Sequence, residues 1–80
     1  MEVKSRVRAY LSEYIHNHEL KDDDDVFALG LVNSLFALQL VMFVENEFEV
    51  FVSGSDVNLQ NFKSIDAISG FVQQKRSTES

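Results

Sequence analysis

Ser34 stands at the mouth of an apolar run, Leu35-Phe36-Ala37-Leu38, preceded by Gly30-Leu31-Val32-Asn33 and, further upstream, by four consecutive aspartates, Asp22 to Asp25. A hydroxyl at the start of a helix has two uses. It can accept a hydrogen bond from a free backbone amide and so cap the helix, which is the commoner fate of a serine there. It can instead be esterified, and a phosphate ester at that place gains from the unpaired N–H groups and the positive end of the helix dipole. The local sequence leaves both uses open.

Other chemistry is poorly supported. His16 and His18, with Ser34 and a nearby Asp, supply the residue types of a hydrolytic triad. However, Gly30-Leu31-Val32-Asn33-Ser34 does not fit the G-x-S-x-G elbow, no strand precedes the serine, and a small bundle offers no oxyanion pocket. The histidines read as solvated residues at a helix end, where imidazolium complements the dipole. A calcium loop starting at Asp22 would put Phe27 where the turn glycine belongs and Asn33 where the bidentate Glu belongs, so no metal site is expected. No glycine-rich phosphate loop occurs. The chain has no cysteine, hence no disulfide, no thiolate metal site and no thiol nucleophile of its own. Thiol chemistry would have to arrive with a cofactor.

The elements that must position Ser34 follow from periodicity. From Glu2 to about Asn17, Val3, Val7, Tyr10, Leu11, Tyr14 and Ile15 recur at helical spacing and form one apolar face. A long polar loop follows, with Val26, Phe27 and Leu29 as apolar anchors and Gly30 permitting a turn. A second helix runs from about Ser34 to Phe48. Val50 and Val52 alternate as in a strand, but nothing nearby can pair with them, so Glu49 to Gly54 reads as an extended connector. Asp56 to Asn61 predicts a short helical turn with Leu59 and Phe62 pointing inward. Ser64 then caps a last helix whose stripe is Ile65, Ile68, Phe71 and Val72. The fold expected is all-α, a small antiparallel bundle of three main helices plus one short helix. Residues 1–75 make a single domain and 76–80 a flexible tail.

Size and charge narrow the function. Eighty residues, 45% apolar with seven Phe, fill one small core and leave no room for a separate catalytic lobe. The chain is not expected to be an enzyme. Its longest apolar run, Leu40 to Val44, is far below the roughly 20 residues of a membrane span, so a cytoplasmic monomer with no membrane contact is expected. The net charge is −6, and between Glu19 and Asp66 ten acids face two bases, Lys21 and Lys63. Such a surface repels nucleic acid and favours partners with basic patches, although a merely solubilising surface would look the same.

The second helix is more apolar than a bundle requires. At about 100° per residue, Ala37, Leu40, Val41, Val44 and Phe48 fall on one side, sufficient for the core. Leu35, Leu38 and Met42 fall on the other, near Glu45 and Asn46, with Phe36 and Phe43 between. Either the long loop covers this second stripe or another protein docks on it. For a small bundle, cover by the loop is the commoner arrangement.

The ordered set Asp25-Val26-Phe27, Gly30, Asn33-Ser34-Leu35, Val44-Glu45, Phe48, Asn61-Phe62, Ser64-Ile65 and Ile68 resembles the acyl carrier protein family across nearly the whole chain. The resemblance implies an acyl-carrier-like bundle whose Ser34 receives 4′-phosphopantetheine from coenzyme A through a phosphopantetheinyl transferase. Acyl groups would then ride as thioesters on the arm, which supplies the thiol the chain lacks. It also implies partner recognition through Asn33, Leu35, Phe36, Leu38, Gln39, Met42 and Glu45. Asn33 stands where the family usually has Asp, and Phe36 where many members have a polar or acidic residue. The run from Val32 to Val41 is similar to discrete carriers of glycerate-derived hydroxymalonyl and methoxymalonyl polyketide extender units. The partners implied are an acyl-loading enzyme, dehydrogenases or a methyltransferase acting on the cargo, and an acyltransferase or polyketide synthase module. Lactyl, malonyl or aminoacyl cargo stays open, as does a helical interaction module in which Ser34 is only a cap.

Overall fold

The computed structural model describes residues 3–16 and 19–79, and for residues 34 and 77–79 the backbone alone. Its helices are α1 (Val3–Ser12), α2 (Ser34–Phe48), α3 (Leu59–Phe62) and α4 (Ile65–Glu79), with one 3-10 turn at Gly54–Asp56. Three main helices and one short one, with no strand among the described residues, is the architecture the periodicity predicts.

In α1, Val3, Val7 and Leu11 recur every four residues and are all buried, giving the helix a single inward ridge. The helix stops at Ser12, short of Asn17, and Asn17 and His18 lie outside the described residues. Ser12 Oγ donates to the Arg8 carbonyl at 2.8 Å, the kind of local side-chain bond that competes with continuation of a helix. Ile15, still bonded through its N–H to the Leu11 carbonyl at 2.9 Å, turns into the core.

The ring and charge pairs fix the register of α1 against α2. Tyr14 meets Phe36, Tyr10 meets Phe43 and Arg6 pairs with Glu47. Rising numbers on one helix match falling numbers on the other, so the two run antiparallel. Large rings fill the space between them, from Phe36 through Tyr14 and Tyr10 to Phe43 and Phe48.

The long loop is built rather than slack. The Val26 N–H donates to the Lys63 carbonyl at 2.8 Å, and the Asp22 carbonyl accepts from the Asp66 N–H at 2.9 Å. Asp25 Oδ1 accepts from the N–H groups of Phe27 at 3.1 Å and Ala28 at 3.0 Å, and Gly30 turns the chain at φ +75, a conformation that costs other residues more. Of the three expected anchors, Val26 is fully buried and Phe27 partly so. Leu29 is instead exposed, because the turn closed by its N–H on the Asp25 carbonyl carries it outward.

After α2 the chain leaves through Glu49 in the left-handed region, φ 54 and ψ 48. The connector is extended and unpaired, as expected, and buries Val50 and Val52. Within α3, Phe62 is buried but Leu59 is exposed. A helix of one turn places only one side chain squarely on the core, and Phe62 takes that place. Ser64 caps α4 through Oγ, which accepts from the Ala67 N–H at 3.0 Å, and Ile65, Ile68, Phe71 and Val72 are all buried. The helix continues to Glu79, beyond the expected fraying point at Gln74. Neither Gly nor Pro interrupts it there, and Lys75 is anchored by Asp56 at 2.6 Å and lies 5.8 Å from the Phe71 ring centroid.

Candidate attachment site

The start of α2 is set by Asn33. Its backbone is extended, and its Oδ1 accepts from the Phe36 N–H at 3.2 Å, which is the geometry of an N-cap. Ser34 is therefore the first residue of the helix and not its cap, contrary to the commoner expectation for a serine here. Asn and Ser are comparable caps, and Asn33 lies where the loop is still extended. The free N–H groups of a first helical turn thus lie around a serine that the helix start does not need for capping.

Phe36 is the second correction. Expected on the partner face, it is 7% exposed. Its ring packs edge-on to Tyr14 at 4.9 Å and lies 6.1 Å from Tyr10. The position between two stripes is resolved by the α1 aromatics, which draw the ring inward. Phe36 fixes the first turn of α2 and so the place of Ser34.

The second stripe is open. Leu35, Leu38 and Met42 are 70%, 56% and 61% exposed, and the loop, held against the α3–α4 joint, does not cover them. Asn33 and Gln39 are exposed beside them. Glu45, expected to face partners, is half-buried and accepts from the Val52 N–H at 3.0 Å. Its carboxylate holds the connector against α2.

The charges are more internally satisfied than the sequence suggests. Arg8 pairs with Asp22, Lys4 with Asp22 at 3.8 Å and Asp66 at 2.9 Å, Arg6 with Glu47, and Lys75 with Asp56. The terminal bases fold back onto the central acids, so part of the acidic centre is neutralised within the chain. Hydrogen bonds from Lys75 and then Ser53 hold the Asp56 carboxyl below the usual carboxylate range. Burial, and then the hydrogen bond with Tyr14, push the Tyr10 phenol up to about 12.

Beside Ser34, between the end of α1, the end of the loop and the first turns of α2, lies an open cleft of about 350 Å³. It is lined by Tyr14, Leu31, Val32, Asn33, Leu35, Phe36 and Gln39. Of the residues considered for a triad, His16 is exposed and His18 lies outside the described residues. No cluster of metal-ligating residues occurs among the described residues, and no helix there is long and apolar enough to cross a membrane.

Residues 5–72 match the family described as a phosphopantetheine attachment site. The matched span runs from the first turn of α1 to Val72 in α4 and takes in every buried core residue except Val3. The chain belongs to this family: it is a carrier of 4′-phosphopantetheine on which enzymes act, not a catalyst. No curated protein matches the chain.

Proposed function

We propose that Ser34 is the residue to which 4′-phosphopantetheine is attached. One observation carries the reading: Asn33 takes the cap, so a serine inside the family span sits at the first helical position of α2. A phosphodiester at that position is favoured by the first-turn N–H groups and the helix dipole. A phosphopantetheinyl transferase would supply the group from coenzyme A. The serine oxygen forms the new P–O bond, the pyrophosphate bond of coenzyme A breaks, and adenosine 3′,5′-bisphosphate leaves while the hydroxyl proton passes to base. When bound, the arm offers a terminal thiol for thioester formation.

The carrier domain spans residues 1–75 in this reading and works in the cytoplasm. The exposed Leu35, Leu38 and Met42 give enzymes an apolar grip next to the serine, with Asn33 and Gln39 as polar contacts. The cargo we favour is a glycerate-derived hydroxymalonyl or methoxymalonyl extender unit for a polyketide synthase. The similarity of the run from Val32 to Val41 supports it. A loading enzyme, oxidoreductases and a methyltransferase would then be the successive partners.

Intact mass after incubation with coenzyme A and a broad-specificity transferase tests the attachment. The expected result is a gain of one phosphopantetheine group, absent in Ser34→Ala. No gain, or an equal gain in the variant, overturns it. Mass after co-expression with the neighbouring biosynthetic enzymes then reports the cargo.

A further inference from the structure

We infer that the enzyme acting on Ser34 docks through an uncharged, apolar surface of its own and not through a basic patch. The inference rests on attachment at Ser34 and on the exposed stripe of α2 as the docking face, and it names the chemistry of the partner for that face. From Val26 to Val44 the chain carries no charged residue. Leu35 and Leu38 lie within that run and are 70% and 56% exposed. Leu35 and Gln39 also line the cleft beside the first turns of α2, and none of the residues lining that cleft is charged.

The first charges on either side of the run are already engaged. Asp25 Oδ1 accepts from the N–H groups of Phe27 and Ala28, and Glu45 accepts from the Val52 N–H at 3.0 Å. At about 1.5 Å per residue, Glu45 stands about 16 Å along the helix axis from Ser34. That is twice the screening length of about 8 Å at physiological ionic strength. Glu47, further on, pairs with Arg6. Glu13, on α1, lines a groove with Arg6, Tyr10 and Phe43 that includes neither Leu35 nor Leu38.

This arrangement selects against a cationic partner. A Lys or Arg brought onto Leu35 and Leu38 would lose its water and find no carboxylate there, and an unpaired buried charge is strongly unfavourable. An apolar side chain meets no such penalty, because it and the two leucines leave water together. The net charge of −6 that favours basic partners thus has no bearer at the serine end of the stripe.

A comparison of opposite charges at one position tests the inference. Leu38→Glu and Leu38→Lys are incubated with the broad-specificity transferase at saturating coenzyme A, intact mass giving the KM and kcat for the carrier and thermal unfolding confirming the fold. A neutral partner surface rejects both charges alike, so each variant should raise KM by at least about fivefold and the two should agree within about twofold. Gln39→Glu and Gln39→Lys repeat the comparison without removing an apolar side chain, and should again agree with each other. Loading of Leu38→Glu at the wild-type KM while Leu38→Lys fails would give the partner a basic surface. The reverse would give it an acidic one, and an unchanged KM in both would take the stripe out of docking. Each of these results, or unequal Gln39 variants, overturns the inference with attachment intact. Wild-type protein that gains no mass overturns the attachment, and the docking face with it.

Discussion

Tyr10 and Phe43 lie face to face across the α1–α2 boundary, their ring centroids 4.1 Å apart and their planes 15° from parallel. An aromatic pair of this kind contributes about 0.5–1.5 kcal/mol beyond its area burial. A double-mutant cycle with Tyr10→Leu and Phe43→Leu should therefore show a coupling energy of that size in urea unfolding. Purely additive losses would mean the rings act only as bulk.

Tyr10 also predicts an alkaline limit, through its burial and its hydrogen bond with Tyr14. With Tyr10 pushed up to about 12 from an ordinary tyrosine near 10, the fold favours the protonated phenol. This contribution is complete below pH about 10 and is lost as pH rises through the folded value. Tyr10→Phe should remove that part of the alkaline decline in midpoint, while the acid side stays as it was.

On the acid side the sign reverses. Asp56, held low by Lys75 and Ser53, contributes stability above the ordinary carboxylate value near 3.9, and loses it as pH falls through its lower folded value. Replacing Lys75 with Met should shift the acid unfolding limb toward higher pH. An unchanged limb would show that the ion pair does not persist in solution.

Capping separates Asn33 from Ser34. Asn33→Ala should cost about 1 kcal/mol, and Asn33→Asp should keep the cap and add about 0.3–1 kcal/mol from the helix dipole. Ser34→Ala should leave thermal unfolding nearly unchanged while abolishing loading. A larger loss in Ser34→Ala than in Asn33→Ala would return the cap to the serine. Glu49→Gly, at the left-handed exit of α2, should stabilise by about 0.5–1 kcal/mol, because glycine meets no Cβ penalty there.

Phe36 and Leu38 should divide along the same boundary. Phe36→Ala removes a buried ring and should cost about 3–5 kcal/mol. Leu38→Ala, on the exposed stripe, should change stability by less than about 0.5 kcal/mol and instead lower the rate of transferase loading. Equal losses of stability would place both side chains in the core.

Much of this was legible in the chain because it is local. The stripes of α1 and α4 repeat at helical spacing, and Ser64 directly precedes the apolar run it caps. Other expectations turned on non-local contacts. Phe36 lies between two faces of α2, and only the position of Tyr10 and Tyr14 decides which way it turns. Whether the loop would hide Leu35, Leu38 and Met42 depended on bonds such as that between Val26 and Lys63, residues far apart in sequence with no pattern linking them. Asn33 and Ser34 are adjacent, comparably good caps, and the choice between them rests on where the extended loop ends.

Those loop bonds have one more effect. By joining Val26 to Lys63 and Asp22 to Asp66, they make the approach to α2 part of the same rigid frame as the base of α4. In the proposed reading, an enzyme that docked on α2 and another that docked on the α3–α4 joint would meet Ser34 in the same place. Several handles would then serve a single point of delivery.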